Sequence, residues 1–216
     1  MSSTTIPHYK MIYFPLRGRG ECIRYLFAAA EIPYEEQQVQ IQDWPATKPK
    51  TMFGSLPTLE IDHKETIGQH LTIMRYLAKR FGMAGKDAIE QAKADMYVDG
   101  ANELWAPFVP AAKAILFEKN MEKFKEEFAK FVKEALTPFM DRYTGFLEAN
   151  PSKSGWLVGD RITWADIYVG EWLSRAQAFQ PGCLDSHPKL KELVRKLESV
   201  PGIAKRIKER PTDWPL

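Results

Sequence analysis

With 216 residues the chain can form one large or two small domains, and its 44% hydrophobic and 27% charged content is that of a soluble globular protein. Thirty Lys plus Arg against 28 Asp plus Glu leave a net charge of +2, with no basic run interleaved with aromatics, so no nucleic-acid partner is expected. Cys22 and Cys183 form no C-x-x-C pair, and His8, His63, His70 and His187 are scattered, which argues against a disulfide scaffold and a zinc site. No apolar run is long enough for a bilayer and the start, MSSTTIPHYK, lacks a signal core; a cytoplasmic protein without a membrane partner is the expectation.

In chain order, residues 1–8 read as a polar tail. Tyr9–Phe14 alternates as a strand that Pro15 ends. A glycine-broken, arginine-rich turn follows, Leu16 to Glu21. Its Gly18-Arg19-Gly20 lacks the third glycine and the acidic residue of a dinucleotide fingerprint. Apolar residues at Cys22, Ile23, Leu26, Phe27 and Ala30 predict a helix stopped by Pro33, and Tyr34–Ile41 a weaker second strand. Strand, helix, strand is the pattern of a parallel unit.

Gln42 to Met52 reads as a loop carrying Trp44, Pro45, Lys48, Pro49 and Lys50. Leu56-Pro57 then opens a strand over Thr58–Ile61, Asp62-His63-Lys64 turns the chain, and Glu65–Ile67 pairs back. Gly68 breaks that strand and Gln69-His70 begins a helix through Arg80. The first N–H groups of a helix have no internal partner and carry the positive end of its dipole, so this start can receive an anion. Taken alone, the stretch reads better as an ordinary strand-to-helix connection with polar residues facing water.

Residues 82–87 read as a linker, and beyond them no strand is predicted. A helical stretch over Ala88–Phe117 should bend or break near Pro107 and Pro110. A second, over Glu122–Ala149, carries Phe124, Phe128, Phe131, Ala135, Phe139, Tyr143 and Phe146 at three- and four-residue steps and should kink at Pro138. Thr163-Trp-Ala-Asp166 has the spacing of a capping box, a structural device, for a helix to Phe179. Pro188 and Pro201 each fit a first helical turn. The organisation is an α/β unit over 1–81 and an all-helical unit over 88–216.

This order, with the motifs YKMIYFPLRGRGE, DWPATK, FGSLPTLEID, the Gln69 helix start and GDRITWAD, resembles the cytosolic glutathione S-transferases, most of all the sigma class and its nematode relatives. The resemblance spans Tyr9 to Pro211. It implies an α/β N-terminal thioredoxin-like domain ordered β-α-β-α-β-β-α and an all-α C-terminal domain contributing a hydrophobic substrate pocket. It implies glutathione as co-substrate, a small hydrophobic electrophile as the other, a homodimer and no metal.

Residue by residue, Tyr13 corresponds to the tyrosine whose hydroxyl donates to the glutathione sulfur, with Arg19 supporting that site. A free thiol titrates near ~8.5 and only its thiolate is a good nucleophile, so a donor aimed at sulfur is what the chemistry needs. Alone, Tyr13 would read as a half-buried strand aromatic. Trp44 and Lys48 match residues at the glycyl end, Leu56-Pro57 a cis-proline turn that pairs with the cysteinyl backbone, and Gln69 with His70 the γ-glutamyl carboxylate site. Glu103, where relatives often have Asp, would reach the γ-glutamyl ammonium of the other subunit. Asn102 replaces an acid that some sigma members use with divalent metals. Phe53 matches the aromatic that inserts into the partner subunit. Phe14, Trp105, Phe108 and Trp214 are pocket candidates, although such residues are more often core.

One departure stands out: the family has Ser where this chain has His70. The change keeps the backbone N–H and removes a hydroxyl, which predicts glutathione binding that is weaker or pH-sensitive. A glutathione-dependent isomerase or peroxidase, such as a prostaglandin D synthase, shares the same thiolate site and is the alternative reading. A non-enzymatic relative of crystallin type is disfavoured by the retained Tyr13, Arg19, Trp44, Lys48 and Gln69.

Overall fold

Residues Tyr9–Tyr13 (β1) alternate buried and half-buried side chains, as expected of a strand with one face on a core. The computed structural model describes residues 6–212. Glu21–Ala30 (α1) crosses back from β1 so that Glu35–Gln38 (β2) runs parallel to it, with Lys10 opposite Glu35. Thr58–Ile61 (β3) and Glu65–Gly68 (β4) add antiparallel, giving the order β2-β1-β3-β4. Asp62 and His63 both adopt positive φ (52° and 56°), the geometry of a tight hairpin turn. β2 reads EEQQ and sits at the edge, where polar side chains are tolerated. The segment read as a loop contains one short helix, Trp44–Thr47 (α2), flanked by 3₁₀ turns. The mixed four-stranded sheet with its helices is the thioredoxin-like architecture.

After His70–Arg80 (α3) the described chain is helical: Ala88–Asn102 (α4), Trp105–Leu116 (α5), Met121–Phe131 (α6), Thr137–Ala149 (α7), Trp164–Phe179 (α8), Pro188–Glu198 (α9) and Pro201–Glu209 (α10). The expected break lies at Glu103-Leu104, four residues before Pro107, where the proline ring would meet the preceding turn's carbonyl. The kink expected at Pro138 takes the form of a π turn over Val132–Leu136, immediately upstream of the residue that lacks an N–H. Phe124, Phe128, Phe131, Phe139 and Tyr143 are all buried, as their spacing predicted.

α8 is the central helix and is buried on nearly all sides. Its start is fixed by Asp166, which accepts from the N–H of Leu157 and of Thr163 (2.7 Å each) and from the Thr163 hydroxyl (2.8 Å). Burial pushes the Asp166 carboxyl up to about 6 against the pull of these bonds.

A set of buried charges ties α1 to its surroundings. Arg24 has no accessible surface. Its Nη1 donates to the Leu16 carbonyl (2.8 Å) and to Glu21 (2.9 Å), and its Nη2 to the Phe14 carbonyl (3.2 Å) and Glu36 (2.6 Å). Glu21, equally buried, also receives Arg206 (3.2 Å) and Arg210 (3.4 Å) from the C-terminal end. Burial would raise the Glu21 pKa, but Arg24 and Arg206 overcome it and leave the carboxyl below its ordinary value. Replacing one partner of such a set leaves charges and carbonyls unpaired. Arg24→Met is therefore expected to cost about 3–5 kcal/mol in urea unfolding; a loss below about 1 kcal/mol would mean that the set does not stabilise the turn after β1.

Candidate active site

Tyr13 ends β1 with its ring enclosed by the turn that follows. A methyl group on Gly20 would meet Cδ1 and Cε1 of that ring, and one on Gly18 would meet its hydroxyl. Gly18 also has φ +40°, a conformation that side chains disfavour. The glycines of the arginine-rich turn thus let the backbone close over Tyr13. This closure brings the Arg19 N–H to 2.8 Å from the Tyr13 oxygen, to which it donates. The oxygen is occupied as an acceptor and the phenolic hydrogen stays available as a donor. Burial raises the Tyr13 pKa above that of an ordinary tyrosine, against the Arg19 N–H and the charges of Arg24, Arg175 and Arg19. At neutral pH the side chain is a protonated donor and not a base.

Positive charge surrounds this hydroxyl. The Arg19 guanidinium lies 5.0 Å from the centroid of the Trp105 ring, and that of Arg175 lies 5.2 Å from the same ring and 4.9 Å from Trp172. Arg175 donates to the Gly18 carbonyl (2.7 Å) and to Glu171, which also accepts from Arg17 Nε (3.1 Å). Two arginines share one buried carboxylate, and Arg175 Nη1 has no hydrogen-bond partner among the described residues. Cys22 Sγ lies 3.9 Å from Glu171, and burial together with that carboxylate pushes the thiol well above its ordinary value, so it is an inert core group.

The other expected site residues lie on both units. Trp44, half-buried on α2, packs edge-on against Phe14 at 5.2 Å, while Lys48 is exposed. The Leu56–Pro57 bond is cis and directly precedes β3. Gln69, at the start of α3, has φ 67° and an exposed side chain. Glu103 is exposed at the end of α4. Phe53 is 61% exposed, with its ring over Gly68 at the end of β4. Phe108 has no accessible surface and packs in the helical core against Trp172 and Phe131, so it does not face an open cleft. Trp214 lies outside the described residues.

His70 departs from expectation. Its imidazole is buried between the two units, with Nε2 at 3.1 Å from Asn102 Oδ1 and 3.3 Å from the Tyr168 hydroxyl. Burial, helped by the Arg19 charge, lowers its pKa to about 4. Burial favours the neutral imidazole, which argues against its titration as a source of pH-sensitive glutathione binding between pH 6 and 8.

Two family descriptions match: glutathione S-transferase, N-terminal domain, over residues 9–79, and glutathione S-transferase, C-terminal domain, over 109–210. The chain is 36% identical over 209 residues to glutathione S-transferase 1 of Ascaris suum, covering 95% of this chain and 98% of that protein. It is 37% identical over 206 residues to the hematopoietic prostaglandin D synthase of Mus musculus, with the same coverage. The chain belongs to the glutathione S-transferase family. It is a glutathione transferase by fold and by relatives. The crystal structure of the Ascaris lumbricoides glutathione S-transferase superposes with a TM-score of 0.82 at 35% identity, covering 95% of this chain and 98% of that one. The Necator americanus enzyme Na-GST-3, described as monomeric, superposes with a TM-score of 0.80 at 34% identity, covering 94% and 98%.

Sequence reasoning passed over Arg17, Tyr168, Glu171, Trp172 and Arg175. The available signal was a Glu and an Arg four residues apart within α8, a helix otherwise mostly apolar, where charges are costly unless paired. For His70 the sign of the pH effect follows from its lowered pKa. Below pH 6.5 the unfolded chain takes up a proton that the folded chain refuses until about 4, so this stabilisation is complete above 6.5 and is lost as pH falls. Between pH 7 and 4.5 the family member should lose on the order of 2–3 kcal/mol more unfolding free energy than its His70→Gln variant. Parallel pH–stability curves would show that the imidazole is not held neutral by burial.

Proposed function

We propose that this transferase ionises the thiol of glutathione beside Tyr13 and joins it to small hydrophobic electrophiles, a detoxifying activity of sigma type carried out in the cytoplasm without a metal. The observation that carries the reading is the Arg19 N–H on the Tyr13 oxygen, which leaves a protonated phenol free to donate to sulfur. The thiol proton leaves to solvent. The thiolate attacks carbon, a C–S bond forms, and the electron pair departs with a leaving group or moves onto a conjugated oxygen that is then protonated. Lowering a thiol pKa from ~8.5 by about two units takes roughly 2.7 kcal/mol, within reach of one charge-assisted hydrogen bond and the field of Arg19 and Arg175.

In this reading Trp44 and Lys48 receive the glycyl end of glutathione, and Leu56 with Pro57 its cysteinyl backbone. Gln69 and the His70 N–H receive the γ-glutamyl carboxylate, and Glu103 of the partner subunit the γ-glutamyl ammonium. Trp105 and Phe14 line the place of the electrophile. The glutathione-binding unit is 1–81, the linker 82–87, and the helical unit 88–216. Phe53 seats in the partner of a homodimer, supported by its exposure and that of neighbouring Met52. A glutathione-dependent isomerase is the second reading, favoured by the 37% identity to a protein named for prostaglandin D synthesis.

With glutathione and a general aryl halide, Tyr13→Phe should move the acid limb of kcat/KM up by about two pH units, about a hundredfold loss at pH 6.5, with little change in glutathione affinity. Equal profiles would remove Tyr13 from the reaction. A wild-type chain active only on a prostaglandin endoperoxide would favour the isomerase. In sedimentation, Phe53→Ser should convert a dimer to a monomer, and a monomeric wild type would dismiss the seat in a partner.

A further inference from the structure

We propose that His70, Asn102, Tyr168 and Trp105 form a strut across the domain boundary, through which His70, at the γ-glutamyl end of the site, positions Arg19 at its sulfur end. The inference rests on the transferase reading above and assigns His70 a role other than that of a ligand through its side chain.

The strut is a continuous run of contacts. His70, the first residue of α3, places Nε2 at 3.1 Å from Asn102 Oδ1 and 3.3 Å from the Tyr168 hydroxyl. The Tyr168 hydroxyl, from the second turn of α8, donates to Asn102 Oδ1 at 2.9 Å and accepts from Trp105 Nε1 at 3.0 Å. The indole of Trp105 lies against the guanidinium of Arg19, whose own N–H donates to the Tyr13 oxygen. Donors and acceptors balance with one tautomer only: Tyr168 spends its hydrogen on Asn102, so Nε2 of His70 must carry a hydrogen and donate to the two oxygens. Three donors then meet two oxygens, and each oxygen accepts two of these contacts, one for each lone pair. A serine at this position has neither the length nor the ring nitrogen to replace that link.

The strut also acts at a break in the helical unit. Asn102 and Trp105 flank the break between α4 and α5, so both sides of that break are fixed to the same hydroxyl. Turning the Trp105 ring breaks its bond to Tyr168. Among the described residues no carboxylate forms an ion pair with Arg19, and the indole face is what holds its otherwise exposed side chain. Losing the strut frees the ring and with it the guanidinium, while Gln69 and the His70 backbone N–H that face the γ-glutamyl end stay in place. His70 is thus a positioning residue for the thiolate, and its removal should be felt in thiol ionisation before it is felt in binding.

The test uses the full-length wild-type chain, His70→Ala, His70→Gln, Tyr168→Phe and the double variant His70→Ala/Tyr168→Phe. The thiolate of bound glutathione is titrated by its ultraviolet absorbance, and kcat and KM for glutathione are measured with an aryl halide. Each of His70→Ala and Tyr168→Phe is expected to raise the pKa of bound glutathione by about half to one unit and to lower kcat about threefold to tenfold near pH 6.5, with KM within about twofold. The double variant should be no worse than the worse single, because both cut one strut. His70→Gln, which keeps a donor for both oxygens, should recover most of the loss. A raised KM in His70→Ala alone would make the imidazole a glutathione ligand and overturn the strut. Unchanged thiolate titration in both single variants, even with lowered melting temperatures, would reduce the network to a structural contact and overturn it too. A wild-type chain with no thiolate signal at any pH would instead overturn the transferase reading on which the strut rests, a failure recognisable because it occurs before any substitution.

Discussion

The guanidinium of Arg24 sits without accessible surface between the carbonyls of Phe14 and Leu16 and the carboxylates of Glu21 and Glu36. A charge so deep is tolerated only when every donor is met, and here the partners come from the turn after β1, from α1 and from β2. The consequence is geometric. The chain is held at the carbonyls of Phe14 and Leu16 as it enters the turn, and Gly18 and Gly20 lie against the Tyr13 ring with the Arg19 N–H on the Tyr13 oxygen. Glu21 extends the same set to Arg206 and Arg210, which fastens the last helix to the first.

A second buried set joins the two units. Glu171 on α8 receives Arg17 from the turn and Arg175 from its own helix, and Arg175 reaches back to the Gly18 carbonyl. Two cations on one carboxylate leave a positive field beside Tyr13, and the aromatic faces of Trp105 and Trp172 carry part of it. Such a field favours an anion on sulfur while keeping the phenol the donor. In the proposed function the electrophile would meet aromatic rings bordered by guanidinium groups, which is a narrower description than a hydrophobic pocket.

Much of this was legible from local pattern. The alternation of β1, the Asp62-His63 turn, the Thr163–Asp166 box and the prolines that open α9 and α10 are governed by neighbours in sequence, and they appear where the pattern placed them. The phenylalanine ladder through α6 and α7 was legible for the same reason, although the π turn before Pro138 was not, since a kink and a widened turn satisfy the same missing N–H. The family motifs supplied the candidate roles of Tyr13, Arg19, Trp44, Lys48, Leu56, Pro57 and Gln69. At His70 they left the imidazole's partners open, and the structure gives them as Asn102 and the Tyr168 hydroxyl.

What the sequence alone determined is the order of elements and the division into an α/β and a helical part, and it named Tyr13 as the tyrosine proposed for a thiol site. These follow from short-range periodicity, turn chemistry and a motif set spread over the whole chain. What only the tertiary structure decided is which polar groups meet across long separations: Arg17 and Arg175 on Glu171, Arg206 on Glu21, and His70 on Asn102 and Tyr168. The physical reason is burial. The ionisation of Glu21, Cys22, Tyr13 and His70 depends on what desolvates each group and which partner offsets that cost, and neither is set until distant helices close around the turn after β1.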